Sequence, residues 1–507
     1  MNIGIDLGTT NTVVSYIDEY NQWKFLTFEE NGSPDDNKML PSCISVGDKE
    51  IKVGRSALTD RLDNADNFLN DSKYFMGEKM LFYRAGKPFS PKDVAREVLK
   101  EVMRELKKQF PTEKEFNAFV TVPARFNDAA RKETKDALTE AGFVINEDRR
   151  SLTDEPVAAA IAYSRELTDA SKIFVVDFGG GTFDLSIIET NAVGVMAGMN
   201  SLKVNGWGGD LHLGGNDVDK LLVEKMIEKF VEDGGEKFDP WALYHTPEVQ
   251  RAVALIMSQP LEIKKQLYSD FTQPAYIYVP DLLGGEDLDF EITPNDYKNM
   301  MNNISLKYQD CIKDTLSKEN YKSSDIDKVL IVGGMAHEPC LRGVLLSIFD
   351  NNEEKLIIPD NSMYLVSKGA AIWNSNADLH VENRIYSSIG ILLRQGAAVK
   401  TVVREGSLLD DKGRTFTGTL ELSDNTAETF RLIIVEYSGA FVPDSEKYNK
   451  ILDRVITLSY ATRKKRAKKA EKADITVSIS IDADKIFTVN VRQPDGTLTE
   501  IALRLNN

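Results

Sequence analysis

The sequence predicts a two-lobed α/β domain followed by an all-β sandwich domain. Three observations carry this. An apolar strand that ends in Asp and turns on glycine occurs twice, at Ile3 to Thr10 and at Ile173 to Thr182. Strands alternate with helix patterns up to about residue 377, as in α/β lobes. From about residue 385 the pattern becomes period-two alternation without a long amphipathic helix, as in antiparallel sheets.

The central stretch reads Phe174-Val-Val-Asp-Phe-Gly-Gly-Gly-Thr-Phe-Asp-Leu-Ser186. With no Cβ in the way, the amides of Gly179, Gly180 and Gly181 can approach a phosphate closely, and Asp177 would face the metal ion and waters that accompany it. An ordinary glycine-rich hairpin explains the same residues equally well. The N-terminal stretch Ile3-Gly-Ile-Asp-Leu-Gly-Thr-Thr10 repeats the design about 170 residues earlier, and Val329 to Gly334 is a third apolar strand running into paired glycines. Three such turns suggest a duplicated lobe with a nucleotide between the copies.

At 507 residues the chain is too long for one core, so two to four domains are expected. Hydrophobic residues make up 42% and charged residues 28%, an ordinary globular balance. No apolar run reaches the roughly 18 residues of a membrane span, and the N-terminus carries no signal segment. The net charge of −17 argues against general nucleic-acid binding. Cys43, Cys311 and Cys340 show no metal or redox spacing, so free thiols in a reducing cytoplasm are expected. His212, His245, His337 and His380 are scattered, so no protein-built zinc site is expected.

In chain order, Thr12–Tyr16 and Lys24–Phe28 alternate as strands, with a turn at Asn31–Pro34. Lys73 follows in Asp71 to Gly77; by itself it reads as a surface lysine. Ser90, Pro91 and Asp93 start a helix whose stripe is Val94, Val98, Val102 and Leu106, ending before Pro111. Ala118–Pro123 is a buried strand, and Asn127 caps a helix that stops at Gly142. Glu155 opens the small-residue helix through Tyr163, where it either orients a water or metal ion or serves the helix dipole. Gly208–Gly209 and Gly214–Gly215 read as turns bracketing a short strand, with a helix from about Asp217 to Asp233. Pro247–Ser269 reads as a helix broken or kinked at Pro260, and Asn295–Ser317 as another with Tyr297, Met301, Ile304, Tyr308 and Ile312 on one face. Two more helices follow at about 339–350 and 362–375. Strands are expected over Phe430–Tyr437, Val455–Tyr460, Ile475–Ile481 and Ile486–Val491. The basic run Arg463–Lys472 is a solvated loop or a docking site for an acidic partner.

Together these segments resemble the seventy-kilodalton heat-shock chaperone family of the actin-like ATPase superfamily. The match is close at Ile3–Thr10, Val122–Asp128, Asp154–Tyr163, Val176–Asp184 and Gly209–Asp217, in the family's order, covering about the first 378 residues. The resemblance implies an ATPase domain over 1–377, with lobe I at about 1–168 plus 360–377 and lobe II at about 169–359. A linker at 378–384 and a peptide- or partner-binding β-sandwich at 385–507 would follow. ATP or ADP would lie in the cleft with Mg²⁺. Gly8, Thr9, Thr10, Gly179, Gly180, Gly181 and Thr182 would hold phosphates, and Asp6 and Asp177 would orient Mg²⁺ largely through water. Gly214, Gly215, Asn216, Gly333, Gly334, Met335 and His337 would lie on the nucleoside side, and Lys264 and Lys265 match the adenosine-side helix. Lys73 falls where the family steadies the γ-phosphate and attacking water. Glu155, Asp177 and Asp184, with Thr182 beside them, are the unranked candidates to orient or deprotonate that water.

There are departures. The family's Gly-Gly-Ser-Thr-Arg-Ile-Pro is here Gly333-Gly-Met-Ala-His-Glu-Pro339, and Asn216 replaces the usual ribose-side glutamate. The linker Asp378-Leu-His-Val-Glu382 keeps two apolar residues. The chain ends at Asn507, just after the sandwich, so no helical lid and fast substrate release are expected. Pro123 and Arg131 fall at positions the family uses to relay nucleotide state. The expected function is slow ATP hydrolysis that switches a β-sandwich binding unfolded or extended peptides or a dedicated partner, with a possible co-chaperone and nucleotide-exchange factor, and no nucleic acid or membrane. The alternative is a nucleotide-gated scaffold or regulator with little or no turnover. A sugar kinase is a poor third, since a β-sandwich is a weak substitute for sugar-binding insertions.

Overall fold

The structure is a computed structural model. It describes residues 1–28, 36–61, 64–145, 150–167, 169–190, 201–242, 245–376, 379–393, 396–409, 412–422, 427–443, 448–459, 462–464 and 473–501. The expected turn at Asn31–Pro34, most of the basic run Arg463–Lys472, and the expected boundaries at 168 and 377–378 lie outside these residues. The chain forms two compact units, one of Met1–Ile145 and Ser151–His380, the other of Asn146–Arg150 and Val381–Asn507.

The first unit contains the same sheet twice. In the first sheet Leu152–Asp154, Asn117–Val122 and Asn2–Leu7 run parallel, and Asn11–Ile17 and then Trp23–Phe25 continue antiparallel, with Met39–Pro41 also pairing to Asn11–Ile17. In the second, Leu356–Ile357, Lys328–Val332 and Ser171–Phe178 run parallel, and Phe183–Thr190 and Ser201–Asp210 continue antiparallel. In each the chain enters at the third strand of this order, makes two hairpin steps, then crosses back to the parallel edge. This is the topological form of the duplication that the two Asp-Gly turns suggest.

Each sheet owns a core. Ile3, Ile5, Val120 and the stripe Val94, Val98, Val102 and Leu106 share the first. Phe174, Val176, Phe178, Leu185 and Ile187 share the second with Val218, Leu222 and Met226. The helix Pro91–Gln109 starts with a reciprocal capping box, Ser90 accepting from the Asp93 amide and Asp93 from the Ser90 amide. The helices Glu155–Ser164 and Leu365–Ser375 pack on each other so closely that a Cβ on Gly369 would sit 1.7 Å from the Ala158 carbonyl oxygen. Every residue of Glu155–Ser164 is buried, and its alanines give the closeness that the small-residue pattern anticipates.

Several sequence expectations are corrected. Gly208 and Gly209 are not a turn. They lie inside the strand Ser201–Asp210, opposite Leu185 and Asp184. Glycine is required there because a Cβ on Gly208 would meet Thr315 Oγ1 at 1.8 Å. No strand follows them, since Asp210 Oδ1 accepts from the His212 amide at 2.8 Å and closes a turn instead. The next helix begins at Gly215, two residues before the expected start, and runs to Glu232. Pro247–Ser269 is broken rather than kinked, as one of the two expected outcomes, into Pro247–Ile256 and Gln259–Ser269, with Pro260 in the first turn of the second helix. The expected Asn295–Ser317 helix is likewise interrupted at Met301, as Pro294–Met300 and Asn302–Lys318, with all five predicted face residues buried. In the first sheet the Lys24–Phe28 strand ends at Phe25. Of the residues read as a linker, His380–Arg384 is a strand whose Asn383 and Arg384 pair with Leu409 and Leu408.

The second unit carries two four-stranded antiparallel sheets. One orders Ala398–Val403, Ser388–Leu393, Thr429–Tyr437 and Asn449–Thr457. The other orders Arg414–Leu422, Ala473–Ile481, Phe487–Arg492 and Leu498–Ile501. Alternate residues of both sheets, among them Ile389, Ile391, Leu432, Ile434, Val477 and Val489, meet in one apolar core, which is how two half-buried sheets satisfy each other. Among the described residues no helix is long and apolar enough to cross a membrane.

Candidate active site: a glycine cradle over a carboxylate cluster

The ends of the two sheets meet at their Asp-Gly hairpins. Asp6 lies in the strand Asn2–Leu7 and accepts from Thr121 Oγ1 at 3.1 Å. Asp177 lies in Ser171–Phe178, opposite Asp184 on the returning strand. The hairpin tips touch: a Cβ on Gly180 would lie 2.0 Å from Thr10 Oγ1, and one on Gly181 would lie 2.9 Å from Thr9. The second tip is braced from behind, where the Gly215 amide donates to the Gly179 carbonyl at 3.0 Å and the Asn216 amide to the Gly180 carbonyl at 2.7 Å. Gly333 has φ of 91°, and a Cβ there would meet the Phe178 carbonyl oxygen at 2.4 Å. Glycine is obligatory at this point. Gly334, by contrast, faces open space.

These turns line an open cleft of about 250 Å³. Asp6, Gly8, Thr9 and Thr10 line it from the first sheet, and Asp177, Gly179, Gly180 and Thr182 from the second. Lys73, Glu155, Gly215, Asn216, Lys264 and the Gly333–Met335 turn complete most of the wall. Gly181, Gly214 and Asp184 are buried just behind the surface. Lys265 and His337 are exposed and do not face the cleft.

Lys73 is not a surface lysine. A short 3-10 turn, Ser72–Phe75, buries it and sets Nζ 2.5 Å from Glu155 Oε1. Four carboxylates share this one ammonium. Burial, then the Glu155 charge, pushes Asp6 up to about 7 against the pull of Lys73 and Thr121. Asp184 is pushed up to about 7 by burial and then Glu155, with Thr182 and Lys73 opposing. Asp177 is raised well above the carboxylate range by burial, then by Glu155, Asp6 and Asp184. For Lys73, burial works against the ammonium, but Glu155 and Asp6 outweigh it and raise the pKa. Asp184 Oδ1 accepts from the Ala124 amide at 3.1 Å, while Oδ2 is buried without a well-aligned donor among the described residues.

The site therefore has carboxylate charge in excess of its cation, beside hairpins in which a Cβ on Gly8, Gly180 or Gly181 would clash. That is the chemistry expected of a place for a divalent cation and phosphates together. Among the described residues no group of three or more His, Cys, Asp or Glu side chains is placed to hold a metal ion directly.

Sequence reasoning missed two residues here, Asp219 in the wall and Asp71 behind Asn216. Asp71 has φ of 54°, and hydrogen-bonds to Asn216 and to Asn70. Asp219 pairs with Lys264 at 2.6 Å. Asp219 was within reach of sequence reading, since it is one helical turn from Asn216. Nothing local announces Asp71.

A sequence profile described as Hsp70 protein matches residues 2–83 and 80–502. Chaperone protein DnaK of Thermosipho melanesiensis is 28% identical over 428 residues, which cover 82% of this chain and 67% of that protein. The chain belongs to the Hsp70 family.

Proposed function

We propose that the first unit is a two-lobed, actin-like ATPase that binds Mg-ATP in this cleft and hydrolyses it slowly. Its nucleotide state governs the affinity of the β unit for extended peptide segments or a dedicated partner, with a co-chaperone and an exchange factor as further partners. The observation that carries the reading is a single buried lysine among four carboxylates, beneath two glycine hairpins whose tips touch. Membership of the Hsp70 family and the likeness to a protein named as a chaperone add to it.

In this reading the hairpin amides hold the phosphates, where a side chain would clash. Asp6 and Asp177 would hold the metal ion, which would supply neutralisation of phosphate charge. Lys73 exchanges its contact with Glu155 for the negative charge that grows on the transferred phosphoryl group. A carboxylate of the cluster takes the proton of the attacking water. Groups held near 7, such as Asp184, can change protonation at neutral pH, as a base must.

Lys73→Ala tests the mechanism. ATP affinity, measured by calorimetry, is expected to stay within a few fold. The single-turnover rate is expected to fall by about a hundredfold or more, as for loss of a transition-state charge partner. Unchanged turnover would remove Lys73 from the mechanism.

A further inference from the structure

The cleft has a second kind of wall. Besides the glycine and carboxylate surface it is lined by Leu261, Met335 and Met363, with the open backbone of Gly334 beside them. Leu261 is 59% exposed and Met363 39% exposed. Large apolar side chains left bare on a cleft wall point to an apolar occupant.

This wall is built firmly. Met335 packs on the start of the Gly215–Glu232 helix, where a Cβ on Gly215 would touch its Cγ and Sδ at 3.1 Å. Behind Met335, the Tyr268 hydroxyl lies 3.9 Å from Sδ and 3.0 Å from the Tyr297 hydroxyl. Tyr297 donates to Glu338 Oε1 at 3.3 Å, and Glu338 is fully buried, accepting from the Cys340 and Leu341 amides. A hydrogen-bonded chain thus runs from a helix N-terminus to the back of one methionine.

Several polar side chains of the region are engaged with protein partners. Glu338 and Tyr297 serve each other, Lys264 is paired with Asp219, and the Asn216 side chain is bonded to Asp71. The wall offers a flat apolar face and a polarisable sulfur, which suit an aromatic ring, while these polar side chains are already engaged with protein partners.

We infer that this slot holds a purine ring by shape and stacking without reading its hydrogen-bonding edge, so that the site accepts GTP nearly as well as ATP. The inference rests on the cleft being the nucleotide site proposed above. Its physical basis is that a site which hydrogen-bonds a particular edge rejects the wrong one by large factors, whereas an apolar pocket discriminates weakly. Adenine and guanine differ at their edges and share their faces.

Calorimetric titration of the full chain with Mg²⁺ and ATP, GTP or tripolyphosphate tests this. The dissociation constants of ATP and GTP are expected to agree within about tenfold, and both to be more than about tenfold tighter than tripolyphosphate. A GTP affinity weaker than this, with ATP bound normally, would overturn the slot and leave the proposed ATPase standing. Nucleotides binding no tighter than tripolyphosphate would overturn it as well. Failure of all three to bind would remove the proposed function with it. Met335→Ala should weaken ATP and GTP by the same factor, about three- to tenfold, and leave tripolyphosphate binding unchanged as the control for folding. Weakening of ATP alone would contradict an edge-blind slot.

Discussion

Asp71, which hydrogen-bonds to the cleft residue Asn216, shows how residues far apart in sequence support one another. Burial pushes its carboxyl up to about 6; Asn216 and Asn70 pull it down through hydrogen bonds, and Asp219 adds a like charge. The folded chain therefore binds this proton more tightly than the unfolded chain, whose carboxyl titrates near 4. Its contribution to stability is full below about pH 4 and is lost as pH rises through about 6. Asp71→Asn should flatten the fall in stability between pH 4 and 6 and stabilise the protein above it by about 1–3 kcal/mol, read from denaturant unfolding at several pH values. An unchanged pH slope would mean that Asp71 is solvated. Arg131 makes the complementary case. It is buried, 2.6 Å from Asp154, and also donates to the carbonyls of Ala124 and Phe126. Ala124 in turn donates to Asp184. Arg131→Met takes the guanidinium away from the buried Asp154 carboxylate and from two carbonyls, and should cost about 3–5 kcal/mol in the same assay. Neither Asp71 nor the burial of Lys73 can be read locally, because Glu155, Asn216 and Asp154 come from other elements.

At the scale of elements, two helical glycines with opposite surroundings give a paired test. Gly369, in Leu365–Ser375, faces the Ala158 backbone at 1.7 Å from an added Cβ, and backbone cannot yield. Gly343, in Pro339–Ile348, faces open space. Gly369→Ala should cost more than about 3 kcal/mol or prevent folding. Gly343→Ala should stabilise by about 0.5–1 kcal/mol through helix propensity and a less entropic unfolded chain. Thermal melts of both variants decide it; a neutral Gly369→Ala would mean that the two helices cross less closely. The contrast also marks what the sequence reveals. The Pro91–Gln109 helix is legible from Ser90, Asp93 and its four-residue stripe, since cap and stripe are local. The two Asp-Gly hairpins are legible for the same reason. Gly208 and Gly209 misled because paired glycines also occur where a strand is crossed closely, here by Thr315, more than a hundred residues later. The interruption at Met301 left no Pro or Gly to announce it. At the cleft, the glycine and carboxylate floor is legible as motif, whereas most of the apolar wall is not: Met335 is placed there only through the family resemblance, and Leu261 and Met363 look like ordinary core residues until the fold leaves them facing a cleft.

For the whole molecule, the repeated sheet explains why the site lies where it does. Two copies of one topology, each ending a strand in Asp and turning on glycine, bring two glycine hairpins tip to tip and concentrate carboxylates beneath them. The β unit supplies a second, separate core with its own sheets. The central claim is that hydrolysis in the first unit is linked to binding by the second. Single-turnover hydrolysis of Mg-ATP, with and without an unfolded model peptide, tests it most directly. Slow hydrolysis that peptide accelerates is the result expected of a chaperone-type ATPase. Tight ATP binding without hydrolysis, or hydrolysis indifferent to every peptide tried, would contradict it and leave a nucleotide-gated scaffold in its place.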